Sequence, residues 1–352
     1  MAKDIAIILS HGKTNGIFRV TDGLIREWKK QGHHVSVINA NGKLMEDSFG
    51  KISREEMEKE PKFKPFAIVR RFFLLKRFFR YHKEATIVAL SISANTFASF
   101  FGLTVKNKVV LSERNDPAQY PESKFGRKLR DFCFRLADVC VFQTEDAGKY
   151  FSKSIQKKGV VIPNPINDQI PYFDVKEREK VIMSAGRLKP QKNYPLLIRA
   201  FAKFSASFPD YYLDIYGEGY LLEELVALAD ELGVKEKVRF KGFCSDIFPI
   251  MAKVGMFVMS SDYEGISNSM LEAIAIGTPT ICTDCPVGGA RQMIEDQVNG
   301  MLVPLGDVDA LAAAMCKVAG DKEFAEMLGN NGKKIREKYP IEVIAEKWIG
   351  VM

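Results

Sequence analysis

Two glutamates eight positions apart, Glu264 and Glu272, are the residues in this chain best placed to do chemistry. Glu264 follows the apolar run 256–259, which predicts a strand, and Glu272 lies more than a turn inside a helix that Ser267 or Asn268 would cap. The backbone N–H groups at such a helix start are a natural seat for phosphate. Two acids beside that seat would repel the ligand unless they accept hydrogen bonds from its hydroxyls. The pattern therefore indicates a sugar nucleotide, which combines a diphosphate with hydroxyls on ribose and sugar.

A basic loop follows another predicted strand, 181–184, and contains Arg187 and Lys192. This loop, the glutamate pair and the glycines at 265 and 277 that bracket the predicted helix together resemble the retaining family 4 glycosyltransferases. The resemblance is close over about 181–301 and looser elsewhere. It implies an α/β protein of the GT-B fold, with two Rossmann-like doubly wound domains facing across an interdomain cleft.

The resemblance also implies roles for individual residues. Arg187 and Lys192 would contact the donor diphosphate, because cations aimed at a leaving group that gains negative charge lower the barrier. Glu264 would contact the donor sugar and Glu272 the ribose hydroxyls. Glu264, Arg187 and Lys192 are thus the predicted catalytic set. The other predicted donor contacts lie in loops or at the helix start, at Gly16, Gly217, Gly242, Phe243, Asn268, Ser269 and Met270.

Each of these positions has a plainer explanation. The basic loop could be solvated, and charged residues on a helix usually form its solvated face. Gly217, which precedes a predicted helix over 220–232, and Gly242 could be simple turns. Family members usually have paired glycines after the first strand; this chain has Asn15 and Gly16, and Asn tolerates the left-handed backbone best after glycine.

The acceptor side of the site is predicted from the run Ser112–Pro117. Many family members carry a histidine near this point that faces the sugar, and it is missing here. The order Ser-Glu-Arg-Asn resembles members that extend polyprenyl-diphosphate-linked glycans, so Arg114 or Asn115 is expected to contact acceptor phosphate or donor sugar. An Asx turn before Pro117 is the alternative.

Two motifs that could bind a metal are better explained by local structure. Cys282 and Cys285 have redox or half-zinc spacing, but no second pair follows and Cys282 closes an apolar run, which favours a buried cysteine at a strand end. Asp307 and Asp309 precede an alanine-rich run, which favours a helix N-cap. We therefore expect no metal and no cofactor.

The charge distribution indicates an anionic surface as a partner. The chain of 352 residues has a net charge of +7, with 30 Lys and Arg against 18 Asp and Glu in residues 1–168 and 21 against 26 in residues 169–352. The segment Lys62–Lys83 has eight basic residues, seven aromatics and no acid. Basic aromatic helices of this kind lie on anionic bilayers rather than on nucleic acid.

The predicted apolar face of this segment runs through Ile68, Phe72, Leu75 and Phe79 at helical spacing. A helix packed on its own domain with snorkelling arginines is the alternative. No apolar run reaches the length that spans a bilayer and no signal-peptide pattern precedes the first strand, so we expect a cytoplasmic protein that is peripheral on the membrane. The predicted membrane contacts are Arg70, Arg71, Phe72, Lys76, Arg77, Phe79 and Arg80.

Short apolar runs alternate with helical stretches along the chain, as in a parallel sheet. Prolines and charges interrupt this pattern near 163–180, which predicts a domain boundary there. The family resemblance then implies an acceptor domain at 1–168, a donor domain at 169–338 and a C-terminal helix at 339–352 that crosses back to the first domain. Six strands are predicted in each half, at 5–9, 35–38, 87–90, 109–111, 139–142 and 160–162, and at 181–184, 212–216, 238–240, 256–259, 280–282 and 300–303.

The combined prediction is a retaining, metal-independent glycosyltransferase that moves a sugar from a nucleotide donor, expected to be UDP-linked, to a hydroxyl of a lipid-linked or surface glycan. Two alternatives remain open. One is a nucleotide-sugar epimerase of the same fold, and the other is a non-catalytic scaffold that binds glycan or membrane.

Overall fold

The computed structural model describes residues 2–10, 16–48, 50, 52–53, 57, 59, 64–175 and 177–352. The chain divides into two compact units, one formed by Met1–Pro165 with Ile341–Met352 and the other by Ile166–Pro340. In the described part of the chain, no helix has the length and apolarity needed to cross a membrane.

The first unit is built on a sheet whose strand order is β3-β2-β1-β4-β5-β6-β7. All neighbouring strands are parallel except β2 and β3. The strands are β1 (Asp4–Leu9), β2 (His34–Asn39), β3 (Leu44–Glu46), β4 (Thr86–Ala89), β5 (Val109–Glu113), β6 (Val139–Phe142) and β7 (Gly159–Val161). The helices that join them are α1 (Gly16–Lys30), α2 (Lys64–Tyr81), α3 (Ile92–Gly102), α4 (Lys124–Leu136), α5 (Glu145–Tyr150) and α6 (Lys153–Gln156).

The second unit repeats this plan with an all-parallel sheet of order β10-β9-β8-β11-β12-β13. Its strands are β8 (Glu179–Ala185), β9 (Tyr212–Tyr216), β10 (Val238–Gly242), β11 (Val254–Met259), β12 (Thr280–Thr283) and β13 (Met301–Val303). Its helices are α7 (Tyr194–Ser207), α8 (Leu222–Glu231), α9 (Phe248–Lys253), α10 (Asn268–Ile276), α11 (Gly289–Met293), α12 (Val308–Gly320), α13 (Lys322–Lys333) and α14 (Ile335–Lys338). Short 3-10 turns cover Pro190–Lys192 and Lys235–Lys237.

The last helix, α15 (Ile341–Val351), belongs to the first unit. Its Trp348 is fully buried, and the Trp28 ring of α1 meets it edge to face with centroids 6.4 Å apart. Trp28 Nε1 also donates a hydrogen bond to the Ala345 carbonyl at 3.2 Å. These contacts are part of the core, so α15 completes the hydrophobic core of the first unit.

Each of the twelve predicted strands is present, with ends that differ by up to two residues. The short antiparallel strand β3 is an addition that the pattern of apolar runs missed. The Asp307 side chain caps α12 by accepting a hydrogen bond from the Ala310 amide at 2.9 Å, which confirms the N-cap interpretation. The helix predicted over 220–232 is shorter, at Leu222–Glu231.

The α2 helix corrects one part of the predicted membrane face. Leu75 and Phe79 are 0% and 3% exposed, so they pack into the first unit, whereas Ile68 is 62% and Phe72 37% exposed. Phe79 cannot contact a bilayer, because its ring is covered by the unit itself and lies 5.6 Å from that of Phe101. Residues 62 and 63 of the predicted segment lie outside the described residues.

Candidate donor site

The candidate site lies in the second unit, where the direction of strand order reverses. β8 pairs with β9 on one side and with β11 on the other, so β8 and β11 form the switch point of the sheet. In doubly wound sheets, ligands bind beyond the carboxyl ends of the strands at this point. The loop after β8 carries Arg187 and Lys192, and the segment after β11 carries Glu264.

Lys192 and Glu264 form an ion pair in this position. Lys192 Nζ donates to Glu264 Oε1 at 2.6 Å, and the two side chains are only 15% and 12% exposed. Ser261 Oγ donates a second hydrogen bond to the same oxygen at 3.1 Å. One acidic and one basic predicted catalytic residue are thus brought together, and the shielding from water makes their interaction stronger than that of a surface pair.

The loops that hold this pair are joined by side-chain hydrogen bonds. Asn193 Nδ2 donates to Asp262 Oδ1 at 2.6 Å, and Gln191 Nε2 donates to the Tyr263 carbonyl at 3.0 Å. Ser260 Oγ donates to the Lys192 carbonyl at 2.9 Å. Asn193 also has a left-handed backbone with φ of 42° and accepts from the Leu196 amide, so one residue caps α7 and fixes the loop. These contacts hold Lys192 and Glu264 in place before any ligand binds.

Arg187 has a different environment from Lys192. Its side chain is exposed, and its guanidinium makes no hydrogen bond or ion pair with any residue that the structure describes. An arginine in this state has five donors available for an anion, in the planar arrangement that matches phosphate. The two predicted cations are therefore unequal, because only Arg187 can receive a ligand without first giving up a partner.

The first turn of α10 lies next in the chain. Ser267 occupies the N-cap position without capping through its side chain, and Ser269 Oγ donates to the Ala185 carbonyl at the end of β8, at 3.2 Å. The amides of the first turn of a helix have no acceptor within the helix, which is why a phosphate seat was predicted at Asn268, Ser269 and Met270, and this role stays a prediction. The contact from Ser269 to Ala185 places this first turn at the switch point.

Glu272 is the fifth residue of α10 and is 4% exposed. Its carboxylate therefore does not belong to a solvated helix face, which was the plainer explanation for a glutamate at this spacing. Glutamate is almost never fully buried without a specific partner. The burial of Glu272 therefore indicates that its carboxylate has a binding or structural role.

Glycines let three neighbouring loops pack backbone against backbone. Gly217 has φ of 132°, its amide donates to the Gly242 carbonyl at 2.8 Å, and a Cβ added to it would lie 2.0 Å from the Gly186 carbonyl oxygen. Gly242 has φ of 67°, and the Phe243 ring that follows is 58% exposed. The loop that carries Arg187 therefore packs against the backbone of Gly217, and Gly217 is in turn hydrogen-bonded to Gly242.

We expect Gly217→Ala to displace the Arg187 loop, because the added methyl group cannot coexist with a backbone carbonyl 2.0 Å away. Gly233→Ala is the matched control, since Gly233 also has positive φ, at 69°, but a Cβ there meets nothing within 4 Å. Both variants are expected to lose about 1 kcal/mol from backbone strain. Only Gly217→Ala should also lose nucleotide binding, measured by calorimetry, and equal binding by both variants would contradict this arrangement.

The predicted acceptor residues lie in the first unit, where Arg114 is held by its own chain. Its guanidinium donates to Asn164 Oδ1 and to the Ile162 carbonyl, and it lies 6.0 Å over the Trp348 ring. Asn115 Oδ1 accepts from the Asp116 amide at 2.8 Å. In the structure Arg114 links the strand-end loop to α15, and its role toward an acceptor stays a prediction.

The loop that contains these residues is shaped by a buried carboxyl. Glu113 Oε1 accepts from the amides of Arg114 and Asn115 at 3.0 and 3.1 Å, and Arg130 Nη1 lies 3.6 Å from Oε2. Burial raises the pKa of Glu113 to about 7, although the Arg130 charge opposes the shift. Asp116 Oδ1 accepts from the Ala118 amide at 2.7 Å, so an Asx turn is present around Pro117.

Gly16 is the first residue of α1, and the preceding loop residues 11–15 lie outside the described part of the chain. The predicted left-handed backbone of Asn15 therefore stays a prediction. Gly16 and the acceptor residues belong to the first unit, and the other predicted donor contacts belong to the second.

The cysteines behind the candidate site are buried thiols. Cys282 is 0% and Cys285 1% exposed, and burial raises the pKa of both, that of Cys285 to about 12. Metal binding and thiol exchange need the thiolate. This confirms the interpretation of Cys282 as a buried strand-end residue, and the described residues contain no group of three or more His, Cys, Asp or Glu that could hold a metal.

Sequence reasoning missed the residues that position the predicted catalytic pair. Ser261, Gln191, Asn193 and Asp262 contact the pair or join its loops. Asn193 before Tyr194 and Pro195 is a recognisable helix N-cap, and this pattern could have identified one of the four. The others become visible only when the two loops are seen side by side.

The region that contains the candidate site resembles known proteins. Residues 166–335 match the family of glycosyl transferases group 1. The second unit is a group 1 glycosyl transferase domain. The match begins where the unit begins and includes the loops that carry Arg187, Lys192 and Glu264 and the helix that carries Glu272.

Relatives extend the likeness beyond the group 1 domain. The N-acetylgalactosamine-N,N'-diacetylbacillosaminyl-diphospho-undecaprenol 4-alpha-N-acetylgalactosaminyltransferase of Campylobacter jejuni is 32% identical over 241 residues, which are 65% of this chain and 65% of that protein. The structure of Anabaena Alr3699/HepE with UDP and glucose matches 99% of this chain and 98% of its own, with a TM-score of 0.78 at 18% identity.

The structure of a mutant of S. aureus TarM with Fondaparinux, alpha-GlcNAc-glycerol and UDP has a TM-score of 0.70 at 19% identity. That match covers 81% of this chain but 58% of the TarM chain, so this chain spans little more than half the length of that relative. The structural likenesses show the fold, which is GT-B with two Rossmann-like units.

Proposed function

We propose that this protein is a retaining glycosyltransferase that moves a sugar from a UDP-linked donor to a hydroxyl of a lipid-linked or surface glycan. The observation that carries the proposal is the Lys192–Glu264 pair at the switch point of the second unit, beside the first turn of α10 and the exposed Arg187. A nucleotide sugar needs cations and amides for its diphosphate and an acceptor group for its hydroxyls, and all three occur here.

In this mechanism Arg187, Lys192 and the first amides of α10 bind the diphosphate and stabilise the charge that develops as the sugar leaves. Glu264 accepts hydrogen bonds from the sugar, and Glu272 from the ribose. The bond from the anomeric carbon to the phosphate oxygen breaks as a bond to the acceptor oxygen forms on the same face. The acceptor proton passes to the leaving phosphate oxygen, so the mechanism needs no side-chain nucleophile.

Charge neutralisation by Arg187 and Lys192 makes the proposed reaction independent of a divalent metal and of any cofactor. Turnover is therefore expected to be unchanged in EDTA. Loss of turnover in EDTA that Mg²⁺ or Mn²⁺ restores would reject this part of the proposal without rejecting glycosyl transfer.

The nature of the acceptor is supported by a relative and by charge. The C. jejuni relative is named for transfer to a glycan on diphospho-undecaprenol. A lipid-linked acceptor requires the enzyme to work at a membrane, and α2 of the first unit contains basic and aromatic residues without an acid. We propose that the protein is peripheral on the cytoplasmic face of an anionic membrane, with no nucleic acid partner.

The experiment that tests the proposal is thermal unfolding of the purified protein with UDP, GDP, ADP and a set of UDP-sugars in the absence of metal. A ligand at 100 times its dissociation constant adds about 2.7 kcal/mol to the free energy of unfolding. A rise of the midpoint that is selective for UDP is the expected result. No rise with any nucleotide would reject the donor site and favour a non-catalytic scaffold.

The reaction products distinguish a transferase from a nucleotide-sugar epimerase. Incubation with a UDP-sugar and no acceptor should leave the sugar unchanged if the protein is a transferase. Accumulation of an isomerised sugar under these conditions would show the epimerase instead.

A further inference from the structure

The α2 helix has apolar side chains on two opposite sides, of which one is buried and the other is more than half exposed. Leu75 and Phe78 on the inner side are both 0% exposed. On the opposite side Phe66, Val69 and Phe73 are 64%, 52% and 64% exposed. These three positions follow one another at intervals of three and four residues, which places them on one line along the helix.

The same line continues with cations. Arg77 and Arg80 follow Phe73 at intervals of four and three residues, and Lys76 lies beside them. We call Phe66, Val69, Phe73, Arg77 and Arg80 the outer stripe. At a rise of 1.5 Å per residue the stripe is about 21 Å long, and its apolar half covers about 10 Å. The stripe is therefore apolar at one end and cationic at the other.

The composition of the stripe selects its partner. Three large apolar side chains that are more than half exposed and adjacent to one another favour an apolar phase. The cations beyond them, on a helix without Asp or Glu, require that the partner be anionic. An anionic bilayer offers both, with acyl chains a few ångströms below a layer of phosphates.

We propose that the outer stripe of α2 docks on an anionic lipid bilayer. Phe66, Val69 and Phe73 enter the boundary between headgroups and acyl chains, and Arg77 and Arg80 lie among the phosphates. This proposal rests on the proposed function in one respect: the lipid-linked acceptor explains why the enzyme would bind a membrane. It also separates the membrane contacts from Leu74, Leu75, Phe78 and Phe79, whose apolar surface is used within the unit.

The test is sedimentation of the full-length protein with vesicles of phosphatidylcholine, with and without 30% phosphatidylglycerol. The wild-type protein is expected to bind only the anionic vesicles. The double variant Arg77→Gln/Arg80→Gln should bind about thirtyfold more weakly, since each cation near such a surface contributes about 1 kcal/mol. The triple variant Phe66→Ser/Val69→Ser/Phe73→Ser should bind at least about tenfold more weakly at every salt concentration.

Controls come from exposed residues of the second unit. Lys235→Gln/Lys322→Gln matches the charge change, and Leu305→Ser/Met327→Ser removes apolar side chains that are 46% and 39% exposed. Both controls should bind like the wild type. Equal binding by the stripe variants and the wild type, or equal losses in the controls, would overturn the proposal.

Two further outcomes would also overturn the proposal. A wild-type protein that stays in the supernatant with every vesicle does not use the stripe for lipid. A dimer in gel filtration that the triple variant dissociates would show that a second copy covers the stripe. The UDP-induced rise in unfolding midpoint is measured on the same samples, so that loss of membrane binding and failure of the donor site are distinguished.

Discussion

Replacing Arg187 by alanine is expected to leave the protein folded and to lower kcat/KM for sugar transfer by on the order of a hundredfold or more. The side chain is exposed and its guanidinium has no partner among the described residues, so its removal should change the free energy of unfolding by no more than about 0.5 kcal/mol. Its proposed role begins only when the leaving diphosphate gains charge. Initial rates with a UDP-sugar and acceptor, together with thermal unfolding, measure the two effects separately.

Lys189→Ala is the matched control for this variant, because it removes a cation from the same loop, two residues away. It should retain kcat/KM within a few-fold of the wild type. If the two alanine variants lose activity equally, the loop acts through its general positive charge and the specific role of Arg187 is wrong. If Arg187→Ala turns over normally, Arg187 does not contact the leaving group.

Lys192 and Glu264 are expected to behave as one unit in a double-mutant cycle of Lys192→Met and Glu264→Gln. Each single variant should lower kcat by on the order of 10²- to 10³-fold, which is the size of effect seen when one stabilising contact of a transition state is removed. The double variant should lose much less than the product of the two, because the residues share a hydrogen bond of 2.6 Å. Glutamine is preferred to alanine at 264, since it keeps a side chain against Lys192.

The two single variants should differ in stability and in nucleotide binding. Lys192→Met leaves a carboxylate that is only 12% exposed without its cation and should cost about 1–3 kcal/mol. Lys192→Met should also weaken the binding of UDP. Glu264→Gln should leave the affinity for UDP unchanged and weaken only the binding of UDP-sugars. Calorimetric titration of UDP and a UDP-sugar into both variants measures this, and additive losses in kcat would show that the pair is not coupled.

The strand framework could be predicted because buried parallel strands are short apolar runs, and these stand out from the helices between them. β3 could not be predicted in the same way. It has three residues, Leu44, Met45 and Glu46, of which only Leu44 is buried, and it pairs at the sheet edge. A run so short has no detectable period.

The sequence predicted which residues form the candidate site, but it could not predict the contacts between them. Lys192 and Glu264 are 72 residues apart in sequence. The resemblance of their motifs to those of a known family predicted that both lie near the donor, but it did not indicate that they would form an ion pair with each other. Spacing likewise cannot show which of two apolar lines on α2 faces the core. That choice depends on neighbours such as Phe101, whose ring lies 5.6 Å from that of Phe79.

The first unit is discontinuous in sequence, and this affects the order in which its parts become available during synthesis. Trp28 is made early, but the Trp348 ring that it packs against follows only after all 175 residues of 166–340. At 5–20 residues per second, synthesis of residues 166–340 alone takes about 9–35 s. During this time the second unit can fold as a complete domain, while the first has an open apolar groove where α15 will lie. A nascent chain arrested before residue 341 should therefore expose that groove to chaperones, and a chain with residues 341–352 outside the ribosome should have it closed.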